Sequence, residues 1–458
     1  MNSAEKSFVL FRLRWFSGWA VVLLGLAALL WWSATRETPL DREINSRLAE
    51  LRASGEPIDA QDLARLFPNP PPSEDAGVLL TNILAFAEEN APPLASPIVN
   101  PKAVLTRDNP LSEPVIEELR AYRERTQEYL NQWPQSWPTG TRFVPYWAHG
   151  MSTTNMGNLT LIQVRQLQLA QMLATLALLA TEENDPRQAA DMLERSFQLS
   201  RAIPSDSLVN HMIRQAVVRL GATATERSLN RTHFDNRQLR RIAQSLPPLG
   251  TNRFTDALQG EHCQGIWVLG ELKAGKSADL MLPGRIRNEK WWERMWRRLK
   301  SHQRAYSDED FASYLAIYQS ALEIARQPSA QSPSRAEQLM RSYDTNATSE
   351  WGRGQVTWSK AFKASLEADA RLAALHTSLA VESYRLAHSG KIPAGLPELV
   401  PDFLPAVPRD PFDGQPLRFK TLPRGYVIYS IGADGVDDGG LEKTNNAVKY
   451  DVTITVER

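Results

Sequence analysis

The sequence contains one cysteine, Cys263, so the chain cannot form an internal disulfide bond. His262 precedes this thiol, but consecutive residues of a helix point in different directions, so the pair does not form a nucleophile and its base. We therefore expect Cys263 to be a small buried core residue.

The sequence also lacks an excess of charge and the short motifs of common enzymes. Basic and acidic residues number 52 each, so no overall field attracts nucleic acid, which is not expected as a partner. The seven histidines include no HExxH or comparable zinc spacing, and neither a Gly-x-Ser-x-Gly elbow nor a GxxxxGK[ST] phosphate loop occurs. The sequence therefore assigns no catalytic residue and no organic cofactor, although a catalytic set assembled from distant residues would leave no local trace.

One long uncharged stretch stands near the N-terminus, from Trp15 to Trp32 (WFSGWAVVLLGLAALLWW). As a helix it would span about 27 Å, close to the roughly 30 Å hydrocarbon core of a bilayer. Tryptophans at both ends are typical of membrane interfaces, and the basic residues Lys6, Arg12 and Arg14 outnumber Glu5 in the segment before the span. We expect residues 1–36 to form a cytoplasmic tail and a single-pass anchor in a bacterial inner membrane, with the bulk periplasmic. A cleaved signal peptide is the alternative, but Trp31-Trp32-Ser33-Ala34 fits its cleavage site poorly.

Residues 37–326 are expected to form an irregular helical domain of α-hairpins. The apolar spacing predicts helices over Leu159–Thr181 and Arg187–Ile203, separated by a break at Asn184-Asp185-Pro186. No second copy occurs at a fixed period of about 34 residues, so a repeat array is not predicted. Residues 327–364 are expected to be a linker and connecting segment, because they begin with the polar and proline-containing QPSAQSPSR.

Within the helical domain, Gly284 to Tyr306 combines tryptophan with many basic residues. On a helix its apolar side chains form one stripe, which is expected to pack on neighbouring helices. A helix lying at the membrane surface is the main alternative. Stacking on single-stranded nucleic acid is disfavoured, because an exported segment rarely meets any. The membrane-interface candidates are Trp291, Trp292, Trp296, Arg297 and Arg298.

The last segment, residues 365–458, is expected to be a small α+β module. Leucines at helical spacing predict a long helix from Ser365 to His388, which Gly390 ends. Short strands are predicted at Leu417–Lys420 and Tyr426–Ser430, and alternating apolar residues predict a last strand around Ile454. The predicted fold class is therefore mainly α, with an N-terminal transmembrane helix, an α-hairpin domain and a C-terminal module of one long helix and a short antiparallel sheet.

Several motifs of this module occur in an order that resembles the C-terminal part of the major pseudopilin of type II secretion. They follow the helix that contains Tyr384 and read IPAGLPELV, LPAVPRDPFDGQPLRF and YSIGADGVDDGG. The resemblance covers roughly residues 370–458, about a fifth of the chain. The apolar N-terminal span has no glutamate and no prepilin leader, so the resemblance does not extend to polymerisation through that helix. The whole chain also resembles a group of bacterial membrane-anchored proteins, which brings no activity with it.

The loop YSIGADGVDDGG is a candidate metal site. Asp434, Asp437 and Asp438 offer carboxylates, and its glycines permit the positive φ angles that turn carbonyl groups inward. EF-hand spacing fails, because a loop starting at Asp434 has Val436 at position 3 and Asn445 at position 12.

The resemblance to the pseudopilin implies that Asp434 and Asp451 bind calcium, with Asp437 or Asp438 completing the set. The alternative is a turn in which the aspartates only accept hydrogen bonds from nearby amides, as Asx turns do. A bound calcium ion would be structural rather than catalytic.

Two functions from different classes remain open. The favoured one is a non-enzymatic protein of the bacterial envelope that binds other proteins, in secretion or surface assembly, and carries a structural calcium loop. The other is an enzyme whose cleft lies in the helical domain. Converging polar side chains in a deep pocket would support the enzyme, and a broad apolar groove would support the binding protein.

Overall fold

The computed structural model describes residues 37–458 except 101–106, 108, 139, 150–152, 251–252, 274–307, 328–330, 347–357 and 443–449. The described part is mainly helical and ends in a small antiparallel sheet. Its helices are α1 (Pro39–Ala53), α2 (Ala60–Leu66), α3 (Ala76–Leu79), α4 (Thr81–Glu89), α5 (Glu113–Leu130), α6 (Thr153–Glu182), α7 (Pro186–Ala202), α8 (Leu208–Arg231), α9 (Asn236–Ser245), α10 (Arg253–Lys273), α11 (Asp308–Arg326), α12 (Ser332–Asn346) and α13 (Trp358–Ala387). Its strands are β1 (Arg418–Leu422), β2 (Gly425–Ser430) and β3 (Val452–Glu457), and short 3-10 turns lie at Pro72–Glu74, Tyr146–His149 and Leu396–Leu399.

Several helices begin where side chains satisfy their first amide groups. Thr38 caps α1 and exchanges hydrogen bonds with Asp41, and Asp235 does the same with Gln238 at the start of α9. Asp185 caps α7 and is followed by a proline that fits the first turn. The predicted break between α6 and α7 is therefore confirmed.

One apolar cluster joins the middle helices to the sheet. Helices α6, α7 and α8 pack against one another, and α13 packs against α8 and α9. The cluster includes fully buried side chains from each of these parts of the chain: Leu173, Phe197, Val217, Leu375, Tyr426 and Ile454. The C-terminal sheet and the helical body therefore share a core.

A second cluster lies among α1, α10, α11, α12 and the first turns of α13. Its buried members include Phe254, Leu315, Met340 and Phe362. Helix α13 begins at Trp358 rather than at Ser365 as predicted, because its first turns also bury apolar side chains in this cluster. The leucine spacing used for the prediction begins only farther along the helix.

The sheet has the order β1-β2-β3, with antiparallel neighbours. The strands are close to the predicted ones. Every residue of β2 is buried, because one face packs on α13 and the strand has partners on both sides. The Tyr426 hydroxyl group reaches α13 and donates to the Ser378 carbonyl and the Glu382 carboxylate, at 3.2 and 3.1 Å.

Side chains of α8 cover the outer edge of β3. Asn230 Nδ2 donates to the Thr455 carbonyl at 2.8 Å, and the Glu457 amide donates to Asn230 Oδ1 at 2.7 Å. One turn earlier, Glu226 Oε1 accepts from the Thr455 amide at 2.9 Å. The two side chains therefore take the place that a fourth strand would occupy.

The structure corrects one element of the predicted fold class, the transmembrane helix. Over the described residues no helix is both long enough and apolar enough to cross a membrane. Polar residues interrupt the apolar runs of the long helices there; α6, for example, contains Arg165 and several glutamines. The predicted span Trp15–Trp32 lies outside the described residues. The supported fold is mainly helical with a small three-stranded antiparallel sheet.

Three other predictions fall outside the described residues or are not tested by them. The tryptophan- and arginine-rich segment 284–306, with all five membrane-interface candidates, lies in the gap 274–307. The predicted periplasmic location stays a prediction. The predicted domain boundaries also stay predictions, although the boundary at Ser365 falls inside α13, so a fragment starting there would cut this helix.

Candidate cation site in the C-terminal loop

The chain turns sharply four times after β2, and a glycine lies at each turn. Gly432, Gly435, Gly439 and Gly440 have φ angles between 70° and 79°, where residues with a side chain are strained. The prediction that these glycines adopt positive φ angles is confirmed. At Gly440 a Cβ atom would also lie 3.0 Å from Val427 Cγ1, so the loop folds back against β2.

Two of the predicted aspartates form Asx turns. The Val436 amide donates to Asp434 Oδ1 at 3.2 Å, and the Gly439 amide donates to Asp437 Oδ1 at 2.9 Å. These bonds are the ones expected from the alternative to a metal site, and they occupy one oxygen of each carboxylate.

Asp451 closes the loop from the other side, just before β3. Its side chain is only 2% exposed. Its Oδ2 accepts from the Gly440 amide at 2.7 Å and its Oδ1 accepts from the Asp438 amide at 3.4 Å, while its own amide donates to the Leu441 carbonyl. Asp451 therefore connects the start of β3 to the double-glycine end of the loop.

Three carboxylates lie close together at this junction. Burial raises the pKa of Asp451, two backbone hydrogen bonds lower it, and the negative charges of Asp437 and Asp438 raise it again. Asp438 Oδ2 is buried and has no hydrogen-bond partner among the described residues, which exclude 443–449. Asx turns explain neither this orphaned oxygen nor the burial of Asp451, whereas a cation would compensate both.

The nearby basic side chains do not neutralise the carboxylates of Asp438 and Asp451. Arg418 pairs with Asp413 and, at 2.6 Å, with Asp410, and its Nε lies 3.9 Å from Asp437 Oδ2. Lys420 Nζ donates to the Gly439 carbonyl at 3.1 Å. Neither forms an ion pair with Asp438 or Asp451 in the part of the chain that the structure describes.

The carboxylates alone do not make a complete metal site. Among the described residues, no three His, Cys, Asp or Glu side chains form a group that could hold a metal ion. The structure brings Asp437, Asp438 and Asp451 together, and it shows no contact between Asp434 and this set. An ion bound here would need backbone carbonyl groups or water as further ligands, and calcium accepts both.

Asp410, a buried aspartate that the sequence analysis did not single out, accepts hydrogen bonds at the start of the loop. Asp410 is 0% exposed and accepts hydrogen bonds from the Ser430 hydroxyl group at 2.8 Å and from the amides of Phe412 and Ile431. It therefore fixes the point where the chain leaves β2. In the sequence, Asp410 stands out only as the first residue of the Asp-Pro-Phe-Asp-Gly turn.

Comparison with known proteins identifies no relative: no family model, no curated protein and no solved structure matches the chain. The resemblance to the major pseudopilin therefore stays a resemblance of motifs.

Proposed function

We propose that this chain is a non-enzymatic binding protein whose C-terminal loop closes around a structural calcium ion. The observation that carries the proposal is the junction of Asp437, Asp438 and Asp451. There a buried carboxylate faces two others, one carboxylate oxygen has no partner, and no basic side chain among the described residues pairs with Asp438 or Asp451.

Calcium suits this junction better than other common ions. The available ligands are oxygens, which hard cations prefer, and the glycine-rich turns allow the irregular geometry that calcium tolerates and magnesium does not. An ion here would tie the loop after β2 to the first residue before β3, so its expected role is to stabilise the sheet.

The binding role is supported by an apolar surface on the helical body. Gln163 of α6 donates a hydrogen bond to Asn210 of α8 at 2.7 Å. The neighbouring apolar side chains are between 40% and 52% exposed: Leu161, Val164, Val209 and Met212. Grouped exposed apolar side chains of this kind are typical of surfaces that contact other proteins.

The calcium proposal is tested by unfolding the full chain with 5 mM calcium and with chelator. With a dissociation constant near 0.1 mM, calcium should add roughly 2.3 kcal/mol of stability. In chelator, Asp451→Asn should change stability little, because it removes a buried charge whose pKa is raised in the folded state but leaves one of the two amides that donate to Asp451 without an acceptor. In 5 mM calcium, Asp451→Asn should not show the rise in the free energy of unfolding that calcium gives the native chain.

The matched control is Asp402→Asn, at an exposed aspartate before β1. It should leave the calcium response unchanged. The calcium proposal is wrong if the native chain and Asp451→Asn respond equally to calcium, or if neither responds.

The binding proposal is tested in the producing cells with a photo-crosslinking residue at Met212 and, as control, at Arg240, which is exposed on α9. Discrete crosslinked products from position 212 and none from 240 are expected. Identical products at both positions, or none at either, would contradict a specific surface.

A further inference from the structure

A small cavity lies in the helical body, away from the C-terminal loop. It is enclosed by α10, α11, α12 and the start of α13 and has a volume of about 40 Å³. That is room for about three water molecules. Most of its wall is apolar or aromatic, including Leu258, Ile317, Met340 and Trp358.

His262 presents unsatisfied polar atoms in this wall. The ring is 0% exposed and stacks on Tyr318 with a centroid distance of 3.4 Å and an angle of 2° between the planes. Both ring nitrogens of His262 and the hydroxyl group of Tyr318 are buried without a hydrogen-bond partner among the residues that the structure describes. Burial lowers the pKa of His262 to about 3, so the ring is neutral and one of its nitrogens is an acceptor.

Glu261 adds a carboxylate to the same wall. Glu261 is half-buried; burial raises its pKa, and the Leu208 amide, which donates to it, lowers it. No Lys or Arg within the described ranges pairs with it. A carboxylate in an apolar wall without a counter-charge is costly, and a bound cation would remove that cost.

We propose that this cavity binds the ammonium head of a small primary amine. Such a head has three N–H donors, and the wall offers three kinds of acceptor: the Glu261 carboxylate, a ring nitrogen of His262 and the Tyr318 hydroxyl oxygen. The rings of Tyr314 and Trp358 also line the cavity, and aromatic rings attract ammonium groups.

Other occupants fit the wall less well. Water would satisfy the orphaned atoms but leave the carboxylate without a counter-charge. A purely apolar ligand would leave the orphaned polar atoms without hydrogen bonds and the Glu261 carboxylate without a counter-charge. A metal ion would find only one carboxylate, Glu261, and one imidazole, His262, among the described residues that line the cavity.

The sequence alone argued against a joint role for His262 and Cys263, because neighbours on a helix diverge. The structure agrees for Cys263, which is buried and does not line the cavity. Glu261 and His262 both line it, because α11, α12 and α13 enclose this side of α10.

The test is a ligand-observed NMR titration of the full chain with ethylammonium chloride, and with ethanol as the neutral molecule of the same size. Saturable binding of ethylammonium in the millimolar range is expected, with weaker or no binding of ethanol. Glu261→Gln keeps the shape and removes the charge, so it should weaken ethylammonium binding at least about tenfold. Tyr318→Phe keeps the stacked ring, removes one acceptor and should weaken it less.

The matched control is Glu323→Gln, at an exposed glutamate of α11, which should bind ethylammonium like the native chain. Equal binding of ethanol and ethylammonium would show an apolar cavity without charge recognition and overturn the proposal. Unchanged binding in Glu261→Gln, or no saturable binding by the native chain, would overturn it as well. These outcomes do not depend on the calcium loop.

Discussion

Replacing Asn230 by alanine should loosen the attachment of the C-terminal sheet to the helical body. The side chain donates to the Thr455 carbonyl at 2.8 Å and accepts from the Glu457 amide at 2.7 Å, at the outer edge of β3. The variant leaves one strand acceptor and one strand donor without their partners. Thr455 is 2% exposed, so water cannot replace the bond to it easily.

The expected loss follows from these two groups. A buried polar group left unsatisfied costs about 1–3 kcal/mol, and water reaches the partly exposed Glu457 more easily. We expect Asn230→Ala to lower the free energy of unfolding by about 2–4 kcal/mol. The higher helix propensity of alanine offsets only about 0.5 kcal/mol of this. Asn230→Asp keeps the acceptor and loses the donor, so its loss should also be substantial.

The assay is urea-induced unfolding of the full chain, followed by far-UV circular dichroism. Asn82→Ala is the matched control, because Asn82 is exposed and bonds only to the Gln132 side chain. Its effect should stay within about 0.5 kcal/mol. A loss in Asn230→Ala no larger than that of the control would refute the claim that α8 holds the edge of the sheet.

Three further predictions concern buried charges. Asp410→Ala should cost about 3–5 kcal/mol in urea unfolding, because it removes one of the two carboxylates that pair with Arg418 and leaves the Ser430 hydroxyl group and two buried backbone amides without their acceptor; an effect below 1 kcal/mol would contradict this. Glu182→Ala should lower the free energy of unfolding by a similar amount, because Glu182 and Arg227 form an ion pair whose side chains are only 1% and 2% exposed. A double-mutant cycle with Arg227→Ala should show strong coupling rather than additive losses. For Asp369, burial raises the pKa to about 7, so the folded state holds a proton that the unfolded state has released, and stability falls as pH rises from about 4 to about 7. Asp369→Asn should therefore match the native chain near pH 4 and exceed its stability by up to a few kcal/mol near pH 8; a pH-independent difference would contradict this.

Much of the local structure could be predicted because its signals are local. The break before α7 follows from Asn184-Asp185-Pro186, since Asn184 takes a positive φ angle and the next two residues cap and start a helix. The turns after β2 follow from the glycines, and β3 follows from its alternating side chains. In each of these cases a few neighbouring residues determine the backbone.

The contacts that build the two sites could not be predicted, because they join residues far apart in the chain. Ser430 and Asp410 are 20 residues apart, and Asn230 and Thr455 are 225 apart. Such pairs have no fixed spacing, so a single sequence contains no pattern that reveals them. The cavity at His262 is the same case, because its wall comes from several helices that are far apart in the chain and no motif surrounds the histidine.

Terbium luminescence tests whether a cation joins Asp451 to the loop after β2. Terbium prefers the same oxygen ligands as calcium, and tyrosine excitation sensitises its emission when the ring is close. Tyr429 forms a hydrogen bond with Asp437, so a tyrosine lies beside the proposed site. We expect saturable emission from the full chain. Calcium should displace the bound terbium, and Asp451→Asn should largely abolish the emission. Absent emission, or emission of equal strength and affinity in Asp451→Asn, would contradict it.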